Sequence, residues 1–226
     1  MSFTKKNVTI INRKNTYIDK TVRFGNNVVI YEGNRIEGLS YIGDNTILLP
    51  NNYIVNSIVG KNSKIHSSVI ADSEIRDNVI IGPFARIRPN SLIHNNTKIG
   101  NFCEIKNSTI GENTKISHLS YVGDAQIGND TNIGCGVVFC NYNGISKSET
   151  IVGNNCFIGS NVNLIAPLKV DDGAYICAGT TIVKDCKENS LVIGRVRAEE
   201  KENRAQKYRR SNESWDLGLM ESEVLR

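Results

Sequence analysis

Aliphatic residues recur along this chain at a fixed step. From Phe24, steps of six land on Ile30, Ile36, Ile42, Leu48 and Ile54. From Ile75 they land on Ile81, Ile87, Ile93, Ile99 and Ile105, and from Val152 on Ile158, Leu164, Val170, Ile176 and Ile182. Five-residue steps join the runs, from Ile54 to Val59, Ile65 to Ile70, Ile105 to Ile110 and Val122 to Ile127. Polar residues fill the space between, and Gly often follows the aliphatic one, as in Ile42-Gly43, Ile99-Gly100 and Ile158-Gly159. A fixed internal period governs the whole fold.

Six residues are too few for a helix and a turn. They accommodate one short strand and one corner, with an aliphatic residue inward and Asn or Gly at the strained corner. Three units close a triangular coil, and stacked coils lie about 4.8 Å apart, the ordinary strand spacing. The 27 units from Phe24 to Ile182 predict nine coils, a prism roughly 43 Å tall. The step breaks between Phe139 and Val152, which are 13 residues apart, so 140–149 is expected to be an inserted loop. Insertions in a solenoid map to one face, often the binding face.

These patterns divide the chain into a leading segment at 1–23, with a strand expected at 8–11, a repeat domain at 24–195 and a tail at 196–226. Residues 197–210 are rich in Glu, Lys, Arg, Ala and Gln and predict a helix. Trp215 and Leu217-Gly218-Leu219-Met220 are apolar enough to dock on the prism or on a neighbouring subunit. Composition agrees: the 29 Ile all fall at or before Ile193, beside 29 Asn, as expected of short strands between tight turns.

Charge and cysteine content exclude several classes. The 27 basic and 23 acidic residues leave a net +4 with no long like-charge run, so nucleic acid is not an expected partner. No apolar stretch approaches the 18 or so residues of a membrane helix. The start lacks the apolar segment of a signal peptide. Six cysteines without a C-x-x-C pair fit the reduced thiols of the cytoplasm.

The candidate chemistry lies between Ile81 and Arg195. The chain reads Ile81-Gly82-Pro83-Phe84-Ala85-Arg86-Ile87-Arg88-Pro89, then Gly100-Asn101-Phe102-Cys103-Glu104-Ile105-Lys106 and His118-Leu119-Ser120-Tyr121-Val122-Gly123-Asp124. Asn132-Ile133-Gly134-Cys135-Gly136, Cys140-Asn141-Tyr142-Asn143-Gly144, Lys147, Ile158-Gly159-Ser160, Ala178-Gly179-Thr180 and Arg195 follow. In order and spacing these blocks resemble the acetyltransferase domain of the bifunctional N-acetylglucosamine-1-phosphate uridyltransferase/glucosamine-1-phosphate acetyltransferase, a hexapeptide-repeat family. The resemblance implies an all-β, left-handed parallel β-helix; periodicity alone does not give the hand.

It also implies a reaction, N-acetylation of glucosamine-1-phosphate by acetyl-CoA on the way to UDP-N-acetylglucosamine. Acyl transfer to an amine needs a proton acceptor and an anchor for the acceptor. By resemblance His118 is the base and Glu104 its supporting carboxylate. Arg88, Lys106 and Lys147 surround the sugar phosphate, and Tyr121 and Asn132 contact the sugar. Cys135, Asn141, Tyr142, Ser160, Ala178 and Arg195 take acetyl-CoA positions. No metal is expected, and a homotrimer with sites between subunits is. The Gly-rich nucleotide loop of the uridyltransferase domain has no match, so that activity is expected to be missing, or supplied by a separate protein.

Other readings are an acetyltransferase for a different amino- or hydroxy-sugar, and a non-catalytic assembly protein, since solenoids commonly bind partners. A γ-type carbonic anhydrase needs three His around zinc. His66, His94 and His118, spaced by 28 and 24 residues, lack that family's close His pair.

Overall fold

A computed structural model describes residues 7–208. The repeat folds as a parallel β-helix whose strands stack into three sheets. Sheet A has eleven strands, from Val8–Ile10 to Leu191–Val192. Sheet B has ten, from Tyr17–Ile18 to Thr181–Ile182, and sheet C nine, from Arg23–Phe24 to Leu168–Val170. Each strand pairs in parallel with the strands one coil before and after it. In sheet A, for example, Ile99 lies between Ile81 and Ile116.

The sixfold aliphatic positions form the core. Ile30, Ile36, Ile42, Leu48 and Ile54 are fully buried, as are Val59, Ile65 and Ile70 beyond them. Each such side chain contributes about 1.5–3 kcal/mol when fully removed from water. A second inward position carries small hydroxyls that bond the backbone of the next coil. Thr114 Oγ1 donates to the Gly128 carbonyl (2.8 Å) and accepts from Thr131 N–H (3.1 Å), and Thr131 Oγ1 donates in turn to the Gly153 carbonyl (2.9 Å).

Corners explain the mixture of five and six. In most six-residue steps the residue three after the core aliphatic has positive φ, as at Asn45 (57°) and Asn62 (53°); from Ile36 to Ile42 it is Gly38 (63°), two after. In five-residue steps it is two after, as at Asn56 (46°), Asn107 (46°) and Asp124 (51°). The corner shortens by one residue and the strands keep register. Asn tolerates this left-handed conformation better than most residues, and its amides bond from coil to coil. The Nδ2 of Asn27 donates to Asn45, that of Asn45 to Asn62 and that of Asn62 to Asn78, at 3.2–3.3 Å.

At the corner between sheets A and B, three coils place Phe84 (φ 61°), Phe102 (57°) and Leu119 (48°) at this position. All three are exposed, and the two Phe rings stack at 5.5 Å.

The coiling starts earlier and ends later than the nine coils from Phe24 to Ile182 that the period predicts. The strand at Val8–Ile10 pairs with Val28–Ile30, and Tyr17–Ile18 with Arg35–Ile36. From Ile10 to Ile18 is eight residues, and the 3-10 turn Arg13–Asn15 breaks the count. At the other end Cys186 bridges to Val170, and Leu191–Val192 pairs with Tyr175–Ile176.

Residues from Val196 form a second unit. The helix expected over 197–210 is absent from its described part, where Arg204–Tyr208 forms one short 3-10 segment. Trp215 and Leu217 to Met220 lie outside the described residues. No described helix is long and apolar enough to cross a membrane.

Candidate active site

Sheet B and its two edges collect most of the candidate residues. Its outer face carries Arg86, Glu104 and Tyr121 in one column, each just before a core residue. Arg88, Lys106 and Gly123 form the parallel column just after it. The loop at 141–149 rises from the same side, between the strands Val138–Cys140 and Thr150–Val152.

Cations converge on that side. Lys106 Nζ is 3.3 Å from Asp124 Oδ2. Lys147 is brought alongside by the antiparallel bridge between Tyr142 and Lys147, which folds the loop back on itself. The neighbouring Lys106 ammonium, with Arg88 further off, holds the Lys147 pKa below the ordinary lysine value. Arg88 Nη1 is paired with Glu104 Oε1 at 2.7 Å. Arg88 and Lys106 each have a carboxylate partner, and Lys147 adds a third positive charge to the group, one that can attract an anion.

Asp124 organises this group. It occupies a corner at positive φ, and its carboxylate accepts from Asn107 Nδ2 (2.7 Å), from Lys106 and from Asn141 Nδ2. Burial pushes its pKa up, but these three donors outweigh burial and bring it below the usual carboxylate value. Asn141 is thereby buried, with its amide also 3.4 Å from the Tyr121 hydroxyl. Tyr142 is exposed, and its hydroxyl donates to the Gly144 carbonyl (2.6 Å).

The opposite edge of sheet B, its corner with sheet A, carries a single column. Asn101 and His118 are register partners. Cys135, Ser160 and Ala178 continue the line on later coils, each two residues after its core Ile133, Ile158 or Ile176. Arg195 reaches back to it, with Nη1 donating to the Ala178 carbonyl (3.1 Å). At about 4.8 Å per coil the line from His118 to Ala178 is roughly 14 Å long.

His118 is exposed, and its Nδ1 lies 2.7 Å from Asn101 Oδ1. An amide oxygen only accepts, so with the amide in this orientation Nδ1 donates, and in the neutral ring with that tautomer Nε2 has a free lone pair. The family resemblance assigns this supporting contact to Glu104. In the structure Glu104 is engaged by Arg88 and Asn101 holds the ring. Asn132 is also placed apart: it lies on sheet A between Lys115 and Phe157, facing away from sheet B. Sequence reasoning missed Asn101, Gly123 and Asp124; the one available signal was that all three lie inside the motif blocks.

Comparison with known proteins gives the family of the chain and its fold. Residues 69–163 match the GMPPB C-terminal domain and residues 149–184 the bacterial transferase hexapeptide (six repeats). The chain is 46% identical over 190 residues to the "Bifunctional protein GlmU" of Clostridium kluyveri, covering 84% of the chain and 42% of the relative. It is 49% identical over 197 residues to that of Caldicellulosiruptor saccharolyticus, covering 87% and 42%. The chain therefore spans less than half the length of these curated relatives. A UDP-N-acetylglucosamine acyltransferase structure from Arabidopsis superposes with a TM-score of 0.51 at 18% identity, over 80% of this chain and 68% of that one. That likeness is one of fold, the left-handed parallel β-helix. With nearly half its residues identical to GlmU over most of its length, and with the hexapeptide coil visible strand by strand, the chain belongs to the hexapeptide-repeat family of the GlmU proteins.

Proposed function

We propose that the protein is an acetyl-CoA-dependent N-acetyltransferase acting on glucosamine-1-phosphate, in UDP-N-acetylglucosamine biosynthesis. The observation that carries this reading is the crowding of Lys147 and Lys106 beside Arg88, on the same face that His118 borders. The strand Tyr121–Gly123 separates the two edges, about 7 Å from first to last Cα. A sugar bearing a phosphate on one carbon and an amine on the next fits that width, with the phosphate on the cations and the amine toward His118. Tyr121 and Glu104 lie under the ring. The column Cys135, Ser160 and Ala178, ending at Arg195, runs straight from His118 and suits the extended arm of acetyl-CoA, with Arg195 toward its phosphates. Asn141 and Tyr142 offer a second contact to the donor from the loop.

In the reaction the amine nitrogen attacks the thioester carbonyl carbon while His118 Nε2 takes the amine proton. The tetrahedral intermediate collapses, the carbon–sulfur bond breaks, and the thiolate leaves to be protonated as CoA. The proposed chemistry uses no metal.

Asn132 faces away from sheet B in its own chain, so the Asn132 that meets the sugar comes from a neighbouring copy. The active species on this reading is a homotrimer, as the family resemblance implies, with its sites between subunits. Six unpaired cysteines and the acetyl-CoA donor fit the cytoplasm.

The test is release of CoA from acetyl-CoA with a panel of amino-sugar phosphates, alongside sedimentation of the active fraction. Glucosamine-1-phosphate is expected to be the best acceptor, and His118→Ala to lower kcat by about 10²–10⁴. A preference for an unphosphorylated or hydroxyl acceptor, or full activity in a monomer, would overturn the reading.

A further inference from the structure

We propose that Asn101 is the positioning residue of the His118 base, holding the imidazole through Nδ1–H so that Nε2 faces the acceptor amine. This rests on the acetyltransferase reading above. Asn101 and His118 are register partners on adjacent coils of sheet A, and their side chains meet at 2.7 Å. Each is followed by an apolar residue at positive φ, Phe102 and Leu119. Those corners are tied coil to coil, with Phe102 N–H donating to the Phe84 carbonyl (3.1 Å) and Leu119 N–H to that of Asn101 (3.0 Å).

A bulky residue in the left-handed region is a strained choice, kept only where its surroundings over-determine it. The two equivalent corners aim Asn101 and His118 along the same line, so the imidazole is held by the fold and not by a flexible arm. Glu104 does not compete, because Arg88 Nη1 already holds its carboxylate at 2.7 Å.

The choice of an amide has a chemical consequence. A carboxylate beside an imidazole stabilises the imidazolium and raises its proton affinity. An amide oxygen fixes tautomer and orientation without adding charge. His118 can then accept the amine proton and release it again as the thiolate leaves. The titratable side chains on the flanking elements are Lys98 on the strand of Asn101, Lys115 on that of His118, Cys135 on the following coil, and Glu104 and Tyr121 on the adjoining sheet.

The experiment compares Asn101→Ala and Asn101→Asp with the parent in kcat, both KM values, the pH profile of kcat, and the 15N resonances of His118. Asn101→Ala is expected to lower kcat by about 10–100-fold, as expected for a misplaced reacting group, with both KM values nearly unchanged. Its His118 resonances should shift toward a mixture of tautomers. Asn101→Asp restores the acceptor at Nδ1, so kcat recovers, and the acidic limb of its profile moves up by about one pH unit or more, the effect of an adjacent carboxylate. Parent-like kcat and tautomer in Asn101→Ala, or an unmoved limb in Asn101→Asp, would overturn the assignment. If His118→Ala itself keeps full activity, the base reading fails instead, and the 15N spectra still report whether Asn101 fixes the ring.

Discussion

The hydroxyl of Tyr121 occupies the space that a side chain on Gly123 would need. A Cβ built on Gly123 stands 2.4 Å from Tyr121 Oη and 2.8 Å from Asn141 Nδ2. The absence of a side chain at position 123 therefore lets the tyrosine lie along its own strand and meet the loop. Gly123→Ala is expected to push both side chains out of place while leaving the coil intact. Activity should fall by roughly tenfold to a hundredfold, with a thermal midpoint close to the parent's. Parent-like kinetics in this variant would show that the placement of Tyr121 is unimportant.

Lys147 should give the acceptor site its own pH dependence. Its pKa is lowered by Lys106 and Arg88, so it loses its proton at lower pH than an ordinary lysine, which titrates near about 10.4. The charge that holds a phosphate is present below that lowered value and lost above it. The KM for the sugar phosphate should therefore rise with pH before the ordinary lysine range is reached, and Lys147→Ala should remove that rise. Arg88→Ala and Lys106→Ala each remove a charge-assisted contact, often worth about 1.5–3 kcal/mol, and should raise the same KM with little effect on that for acetyl-CoA. An identical pH dependence in parent and Lys147→Ala would refute the assignment.

Asp124 should make the loop acid-labile. Its carboxyl is held below the usual value by Asn107, Asn141 and Lys106 against the opposing effect of burial. The stability it contributes is present above its unfolded value, about 3.9, and is lost as pH falls through the lower folded value. Amide exchange in 141–149 should accelerate in that acid window in the parent. Asp124→Asn should show fast exchange already at neutral pH, and slow exchange there would count against the anchor.

The hydroxyl ladder of sheet C ends at a defect. Ser57 N–H bonds Ser40 Oγ, and Ala125 N–H bonds Ser108 Oγ. Ala125 has no hydroxyl to offer Thr150 in the next coil, whose other neighbour is Leu168. Thr150 Oγ1 is buried without a partner. Thr150→Val keeps the shape and removes the unsatisfied group, a gain of about 1 kcal/mol, or about 2–4 °C in Tm for a chain of this size. A lower Tm would mean that the hydroxyl has a partner in solution.

The middle of the prism was legible because each unit spends one aliphatic residue on the core, and nothing else in the chain has that period. At its ends only the strand expected at 8–11 was legible, found as Val8–Ile10, since the eight-residue step from Ile10 to Ile18 and the bridge at Cys186 obey no fixed count. The helix expected over 197–210 rested on propensity alone, a weak prior without packing to support it. In the site, His118 and the cations stood out by type and motif. Asn101 did not, because an Asn after a Gly is also what an ordinary corner of this chain looks like. Its partner is set by stacking of coils 17 residues apart, which a linear pattern does not display.

The variable corners have a consequence for how this molecule tolerates change. A coil that gains or loses a residue at its corner delivers the next strand to the same address, as the five-residue steps do. The same change inside the strands Lys98–Asn101 or Lys115–His118 would slide Asn101 past His118 and break the column above it. The chain re-zeroes itself at every corner, so a miscount in one coil is not passed to the next. Coils before Phe84 carry none of the candidate site residues, of which Arg88 is the first, so what those coils set is the length of the prism.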